Sequence, residues 1–105
     1  MYYEFYQVKK GLTREYGYMN LKERENVLKT SRINIGVYQL VYSGNIDVKN
    51  TLEILEELFE KFNINHPKDF NGASMSVGDI VKLNDQWFYC DSFGWEDISD
   101  KITNI

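Results

Sequence analysis

One proline, one cysteine and one histidine stand among the 105 residues of this chain, and each scarcity closes off a class of protein. The lone cysteine, Cys90, excludes an internal disulfide and a zinc site built on several thiolates. That usage fits a reducing compartment and predicts a cytoplasmic location. No apolar run approaches the roughly 18 residues that a membrane span needs. Met1 leads directly into Tyr2-Tyr3-Glu4, without a basic segment followed by a hydrophobic one, so neither secretion nor membrane insertion is expected. Repeats, low-complexity tracts and linkers are also missing.

What is present reads as one folded domain over residues 1–105. Apolar residues make up 43% and charged residues 27%, which is ordinary globular usage and enough for one core without staples. Aromatics reach 15%, with eight tyrosines, a residue that serves half-buried sheet faces and binding surfaces alike. The net charge of -4 conceals a division. Residues 1–50 carry eight Lys/Arg against five Asp/Glu, whereas residues 51–105 carry four against eleven. The acidic second half repels phosphates and favours basic partners.

Along the chain, Tyr2 to Val8 predicts a strand closed by Lys9-Lys10-Gly11. Leu12 to Tyr18 reads as irregular. Asn20 is an N-cap for a short surface helix, with Leu21, Val27 and Leu28 inward and Lys22, Glu23, Arg24 and Glu25 outward. Ile33 to Tyr42 is apolar on both faces, as a central strand would be. Asp47 can cap a helix running to about Phe62, with Leu52, Leu55, Leu58, Phe59 and Phe62 as its apolar stripe and Glu53, Glu56, Glu57 and Glu60 opposite. His66-Pro67 lies beyond its end, because the residue before proline avoids helical geometry. Asp79 to Leu83 and Gln86 to Cys90 pair as a hairpin across Asn84-Asp85. One more short strand at most follows Trp95. The fold class is α+β, in the order β-α-β-α-β-β with an optional last strand: four to five short strands in a mostly antiparallel sheet, two helices packed on one face of it.

Residues that could carry chemistry lack the company it needs. Cys90 and His66 are the only pair for a thiol nucleophile, with Asp91 or Asp69 to orient the imidazole, and no local signature surrounds them. Asp79, Asp85, Asp91, Asp97 and Asp100 offer hard oxygen ligands, but their spacing matches no calcium loop and suits turn caps. Gly72 and Gly78 form neither a phosphate loop nor a dinucleotide fingerprint. Lys9, Lys10, Arg14, Lys22, Arg24, Lys29 and Arg32, interleaved with Tyr16 and Tyr18, form a candidate RNA patch diluted by Glu15, Glu23 and Glu25. No catalytic residue, metal or cofactor is therefore expected. The candidate partner surface is the acidic helix face, Glu53, Glu56, Glu57 and Glu60, joined with Asp91, Glu96 and Asp97 and with the aromatics Trp87, Tyr89, Phe93 and Trp95. Asp100 adds a further acid to that set.

Three stretches carry a family resemblance. They are Tyr38-Gln39-Leu40-Val41-Tyr42-Ser43-Gly44, Leu55-Glu56-Glu57-Leu58-Phe59-Glu60-Lys61-Phe62-Asn63, and Asn71-Gly72-Ala73-Ser74-Met75-Ser76-Val77-Gly78-Asp79-Ile80-Val81 with Tyr89-Cys90-Asp91-Ser92-Phe93-Gly94-Trp95. Together they resemble the YodL-like domain of plasmids, conjugative elements and Firmicute genomes. Ala73 stands where the family pattern has a histidine, which removes any chemistry needing that imidazole. Some anti-CRISPR proteins that inhibit single-effector RNA-guided nucleases are similar to this domain. The resemblance thus implies a non-enzymatic inhibitor that binds a CRISPR effector nuclease and interferes with guide-RNA loading or DNA engagement. Two alternatives stay open: a mobile-element module for another protein target, and a small hydrolase or nuclease using Cys90 or the aspartates.

Overall fold

The computed structural model describes residues 1–47 and 49–104. In chain order the elements are β1 (Tyr2–Val8), α1 (Thr13–Tyr16), α2 (Leu21–Leu28), β2 (Ile33–Asn34), β3 (Tyr38–Asn45), α3 (Thr51–Ile64), β4 (Ile80–Leu83), β5 (Gln86–Asp91), β6 (Gly94–Asp97) and β7 (Ile102–Thr103). Five strands form an antiparallel sheet in the order β3-β1-β4-β5-β6, and β2 pairs with β7 in a separate parallel ladder. The α+β class holds, and the β4–β5 hairpin turns at Asn84, whose φ of 53° is one that asparagine tolerates.

Alternation along the strands sends successive side chains to opposite faces, and here both faces are covered. Tyr3, Phe5, Val81, Leu83 and Phe88 pack against Ile54, Leu55, Leu58 and Phe62 of α3, with Phe70 and Met75. Val8, Ile80 and Tyr89 pack instead with Leu21 of α2, Ile33 of β2 and Ile98. The helices therefore lie on opposite faces of the sheet, not on one. Periodicity identifies which residues are buried but not which element covers them, so this division was invisible in the sequence. The central strand is β4, with Val81 and Leu83 buried on one face and Ile80 on the other, where Lys82 is half-buried beside Trp87.

The stretch expected to be central, residues 33–42, is broken. The Asn34 side chain accepts from Gly36 N at 2.8 Å, and residues 35–37 curl into a 3-10 turn that separates β2 from β3. Strand β3 then runs along an edge, where Tyr42 is half-buried and Leu40 exposed while Tyr38 stays in the core. The turn expected at Lys9-Lys10-Gly11 is a 3-10 turn over Lys10–Leu12, and within residues 12–18, expected to be irregular, Thr13–Tyr16 form the short α1. Beyond β5 there are two short strands, one more than expected.

Both longer helices have legible caps, one of them misplaced. Asn20 Oδ1 accepts from Glu23 N at 2.8 Å, as expected. Helix α3 is capped by Asn50 and not by Asp47: Asn50 Oδ1 accepts from Glu53 N at 2.9 Å, and Asn50 Nδ2 donates to Glu53 Oε1 at 2.8 Å. This is the reciprocal pattern of a polar cap three residues before a glutamate. In α2, Leu21 and Arg24 are buried while Val27 is 58% exposed. At 100° per residue Val27 lies about 120° from Leu21, whereas Arg24 and Leu28 fall within roughly 60° of it. Arg24 is buried together with its guanidinium, which lies 5.9 Å from the Tyr16 ring centroid, and its Nε and Nη1 have no hydrogen-bond partner among the described residues.

Gly78 and Gly94 bracket the hairpin region with φ of +98° and +86°. Gly78 is also enclosed: its N donates to Cys90 O, its carbonyl accepts from Tyr38 Oη at 2.7 Å, and an added Cβ would stand 3.0 Å from Tyr18 N. Space around Gly94 is open. Gly78→Val is therefore expected to lose roughly 2–3 kcal/mol and Gly94→Val about 1 kcal/mol in urea unfolding. Wild-type midpoints for both variants would contradict these turn conformations.

Candidate functional site

Helix α3 presents three stripes. Ile54, Leu55, Leu58 and Phe62 face the sheet, and Glu53, Glu56, Glu57 and Glu60 face solvent. Between them run Leu52 and Phe59, 60% and 37% exposed, where an inward apolar stripe was expected. Seven residues apart, they fall on one line down the flank of the helix. The buried set of Ile54, Leu55, Leu58 and Phe62 centres the inward arc away from these two side chains and leaves them at the edge of the core.

Beside that flank, a cleft of about 190 Å³ joins Glu56 and Phe59 to Val77, Asp91, Ser92 and Trp95. Trp95 is half-buried and packs on the core beneath α3. Phe93, at the turn between β5 and β6, is fully exposed. A large apolar ring held wholly in water at a tight turn buries nothing within its own chain, and such rings are enriched in partner contacts. Glu57 pairs with Lys49 at 2.6 Å, both side chains remaining largely exposed, so the pair does not remove the acidic character of the face.

The residues expected to form one surface are thus divided between the two faces of the sheet. Glu53, Glu56, Glu57, Glu60 and Trp95 share the α3 side, while Phe93 projects into solvent from the turn between the strands. Asp91 borders the cleft, but its Oδ1 accepts from Leu21 N at 3.1 Å and Ser92 N at 3.0 Å. Asp97, opposite Phe88 in register, turns its Oδ1 to Ser99 N at 2.9 Å and Ser99 Oγ at 2.6 Å, and these bonds hold its carboxyl below the usual range. Glu96, opposite Tyr89, points to the other face. Trp87 is on that face too, 5.4 Å from the Tyr6 ring with Lys82 Nζ 4.8 Å above it. Tyr89 does not reach the surface: its ring is fully buried and its hydroxyl donates to Met19 O, so it anchors the segment before α2. Period-2 alternation across β5 separates Trp87 and Tyr89 from Trp95, and the run of aromatics in sequence hid that separation.

The chemical candidates are dispersed. Burial pushes the Cys90 thiol up to about 12, helped by Asp79, Asp91 and Glu56, so it stays protonated at neutral pH. His66 lies on the exposed loop after α3 with its ring 5.6 Å from Phe70 and Nδ1 3.2 Å from Pro67 O. No hydrogen bond joins it to Cys90 among the described residues. Nor do those residues include a group of three or more His, Cys, Asp or Glu placed to hold a metal ion. Asp85 and Asp100 are exposed at turns, while Asp79 is buried. Within the basic set, Arg24 is withdrawn into the interior. No helix among the described residues is long and apolar enough to cross a membrane.

In class, this is a small α+β domain: a five-stranded antiparallel sheet clad on both faces, with an acidic helix flank and an exposed aromatic turn as its distinctive surface. The chain belongs to the YodL-like domain family, whose model matches residues 2–100. Comparison with curated proteins and with solved structures finds no match of either kind.

Proposed function

We propose that the domain is a non-enzymatic protein-interaction module whose contact surface is the α3 flank with the β5–β6 turn. The observation that carries this reading is the adjacency of the exposed apolar groups Leu52 and Phe59 to four solvent-facing glutamates, beside a cleft that Ser92 and Gly94, on either side of the fully exposed Phe93, also border. Apolar anchors bordered by charge of one sign suit a basic, partly apolar protein groove, where burial supplies affinity and charge supplies encounter and register. The resemblance to anti-CRISPR proteins gives the finer form: the partner is a CRISPR effector nuclease, whose guide channel is positively charged, and binding interferes with guide-RNA loading or DNA engagement.

The test is a cleavage assay with a purified single-effector nuclease, adding the protein before and after guide RNA. Inhibition at near-equal molar ratio, retained by Cys90→Ser and by His66→Ala, is expected from an occupant of the channel. Turnover-like inhibition far below equal ratio, abolished by either substitution in a folded protein, would instead support the enzyme reading. Co-purification of RNA alone, lost on RNase treatment, would return attention to Lys9, Lys10, Arg14, Lys22, Lys29 and Arg32.

A further inference from the structure

On another part of the molecule, the end of β1, the α1 segment, β3 and the loop before β4 enclose a cleft of about 620 Å³. It shares no lining residue with the cleft beside α3. Gln7 and Asp79 are among its lining residues, and Asp79 is only 6% exposed. Gln7 continues the inward alternation of Tyr3 and Phe5, which places an amide where the strand pattern calls for an apolar group. Its Nε2 donates to Ala73 O at 2.9 Å and to Asp79 Oδ2 at 3.1 Å, and its Oε1 accepts from Ala73 N at 3.1 Å. Ser76 N also donates to Asp79 Oδ2, at 2.9 Å. The carboxyl is thereby held by one oxygen. No hydrogen bond or ion pair of the described residues engages Oδ1, which is not sealed from solvent.

A carboxylate withdrawn from water without a cation is costly, and Asp79 receives two neutral donors while no ion pair of the described residues reaches it. The cleft lining also includes the exposed ring of Tyr18, the amides of Gln39 and Asn71, the Thr13 hydroxyl and Lys10, with Leu40 and Val41 as apolar wall. An aromatic face, amide acceptors and a carboxylate oxygen suit a planar cation with several N–H donors, which can stack and pair at once. We propose that this cleft binds a guanidinium group, with Asp79 Oδ1 as its acceptor and Tyr18 as its stacking surface. Lys10 opposes the incoming charge and limits affinity.

Burial pushes the Asp79 carboxyl up to about 7, against the lowering effect of the bonds from Gln7 and Ser76. Other titratable groups around it are Tyr38 on β3 and Tyr89 and Cys90 on β5, all pushed upward by burial and protonated through neutral pH, with Arg24 of α2 beyond the tyrosines. Cation binding is therefore expected to strengthen from pH 6 to pH 8, as Asp79 ionises.

The experiment is an amide NMR titration with L-argininamide, with neutral citrullinamide, and with a capped Gly-Arg-Gly peptide. Saturable shifts at Ala73, Ser76 and Asp79 are expected for the two guanidinium probes, with citrullinamide at least about tenfold weaker. Asp79→Asn should lose at least about tenfold, Tyr18→Ala severalfold, and Lys10→Gln should gain. A tripeptide that binds more tightly than argininamide indicates an arginine side chain of a protein as the source; parity indicates a free small molecule. Equal binding of citrullinamide overturns the proposal, as does undiminished binding by folded Asp79→Asn. Should that variant not fold, Tyr18→Ala and Lys10→Gln, both altered in side chains exposed to water, decide by the same criterion.

Discussion

Phe62→Ala is expected to destabilise the protein by about 3–5 kcal/mol, the usual loss for deleting a fully enclosed phenylalanine. Phe62 is fully buried, with Phe5 and Phe70 both at 4.9 Å between ring centroids, Tyr42 at 5.4 Å and Tyr3 at 6.3 Å. These partners come from β1, β3 and the loop before β4, so the ring joins α3 to three separate parts of the chain. Replacing it leaves a cavity that four large rings cannot close without abandoning their own tilted contacts. Against a total stability of roughly 5–15 kcal/mol, the loss predicts a fall in Tm of roughly 15–30 °C. Phe59→Ala, one turn away on the flank, should lose roughly 1–2 kcal/mol, less than Phe62→Ala because over a third of that residue is already in water. Calorimetry of the two variants distinguishes the faces, and equal losses would mean that α3 is rotated from the orientation described.

That pair of residues also marks the limit of sequence reading in this chain. Amphipathic spacing placed Phe59 and Phe62 together on the inward stripe, and four glutamates opposite them, correctly exposed. Three residues apart, the two rings share a side of any helix, and the buried arc centres between Ile54 and Leu55, which spacing alone did not weight. The Asn50-Thr51-Leu52-Glu53 cap was available as a signal and would have corrected the start of α3. The β4–β5 hairpin was legible because asparagine at a positive φ and alternating apolar residues agree. Strand β3 was misread as central because its aromatic residues satisfy an apolar pattern while tolerating an edge.

The surface was less legible than the core. Charge counts located the acids in the second half but said nothing of which sheet face each would occupy, and the β5 and β6 residues proved to be divided between both. Gln7 and Asp79 illustrate the opposite failure. Each looked like an ordinary polar position, one in a strand and one at a turn, and only tertiary pairing across 72 residues brings them together in the interior. Buried polar pairs of this kind leave almost no local trace, because their partners are set by topology and not by spacing.

Reversing Glu53, Glu56, Glu57 and Glu60 to lysine is expected to change partner binding far more than folding. The four carboxylates face solvent, and the only ion pair of the described residues that this change breaks is Glu57 with Lys49. Glu53 is also held by Asn50 at the start of the helix, so the first-turn interaction is lost and a modest fall in Tm follows. At the interface the effect is of another order. Each reversal adds two positive charges, moving the formal net charge from -4 to +4, and a basic groove that attracted the face then repels it. A loss on the order of a hundredfold in affinity is expected, carried in part by slower association. Raising the salt concentration should weaken the wild-type interaction and narrow its advantage over the variant, since the Debye length falls to roughly 3 Å at 1 M. Phe93→Ala provides the complementary arm: it removes apolar anchorage without altering charge, so it should raise the dissociation rate while leaving the salt dependence intact. If the quadruple variant binds as tightly as wild type at low salt, the acids are a solvated face and the contact lies with Phe93, Trp95 and their neighbours alone.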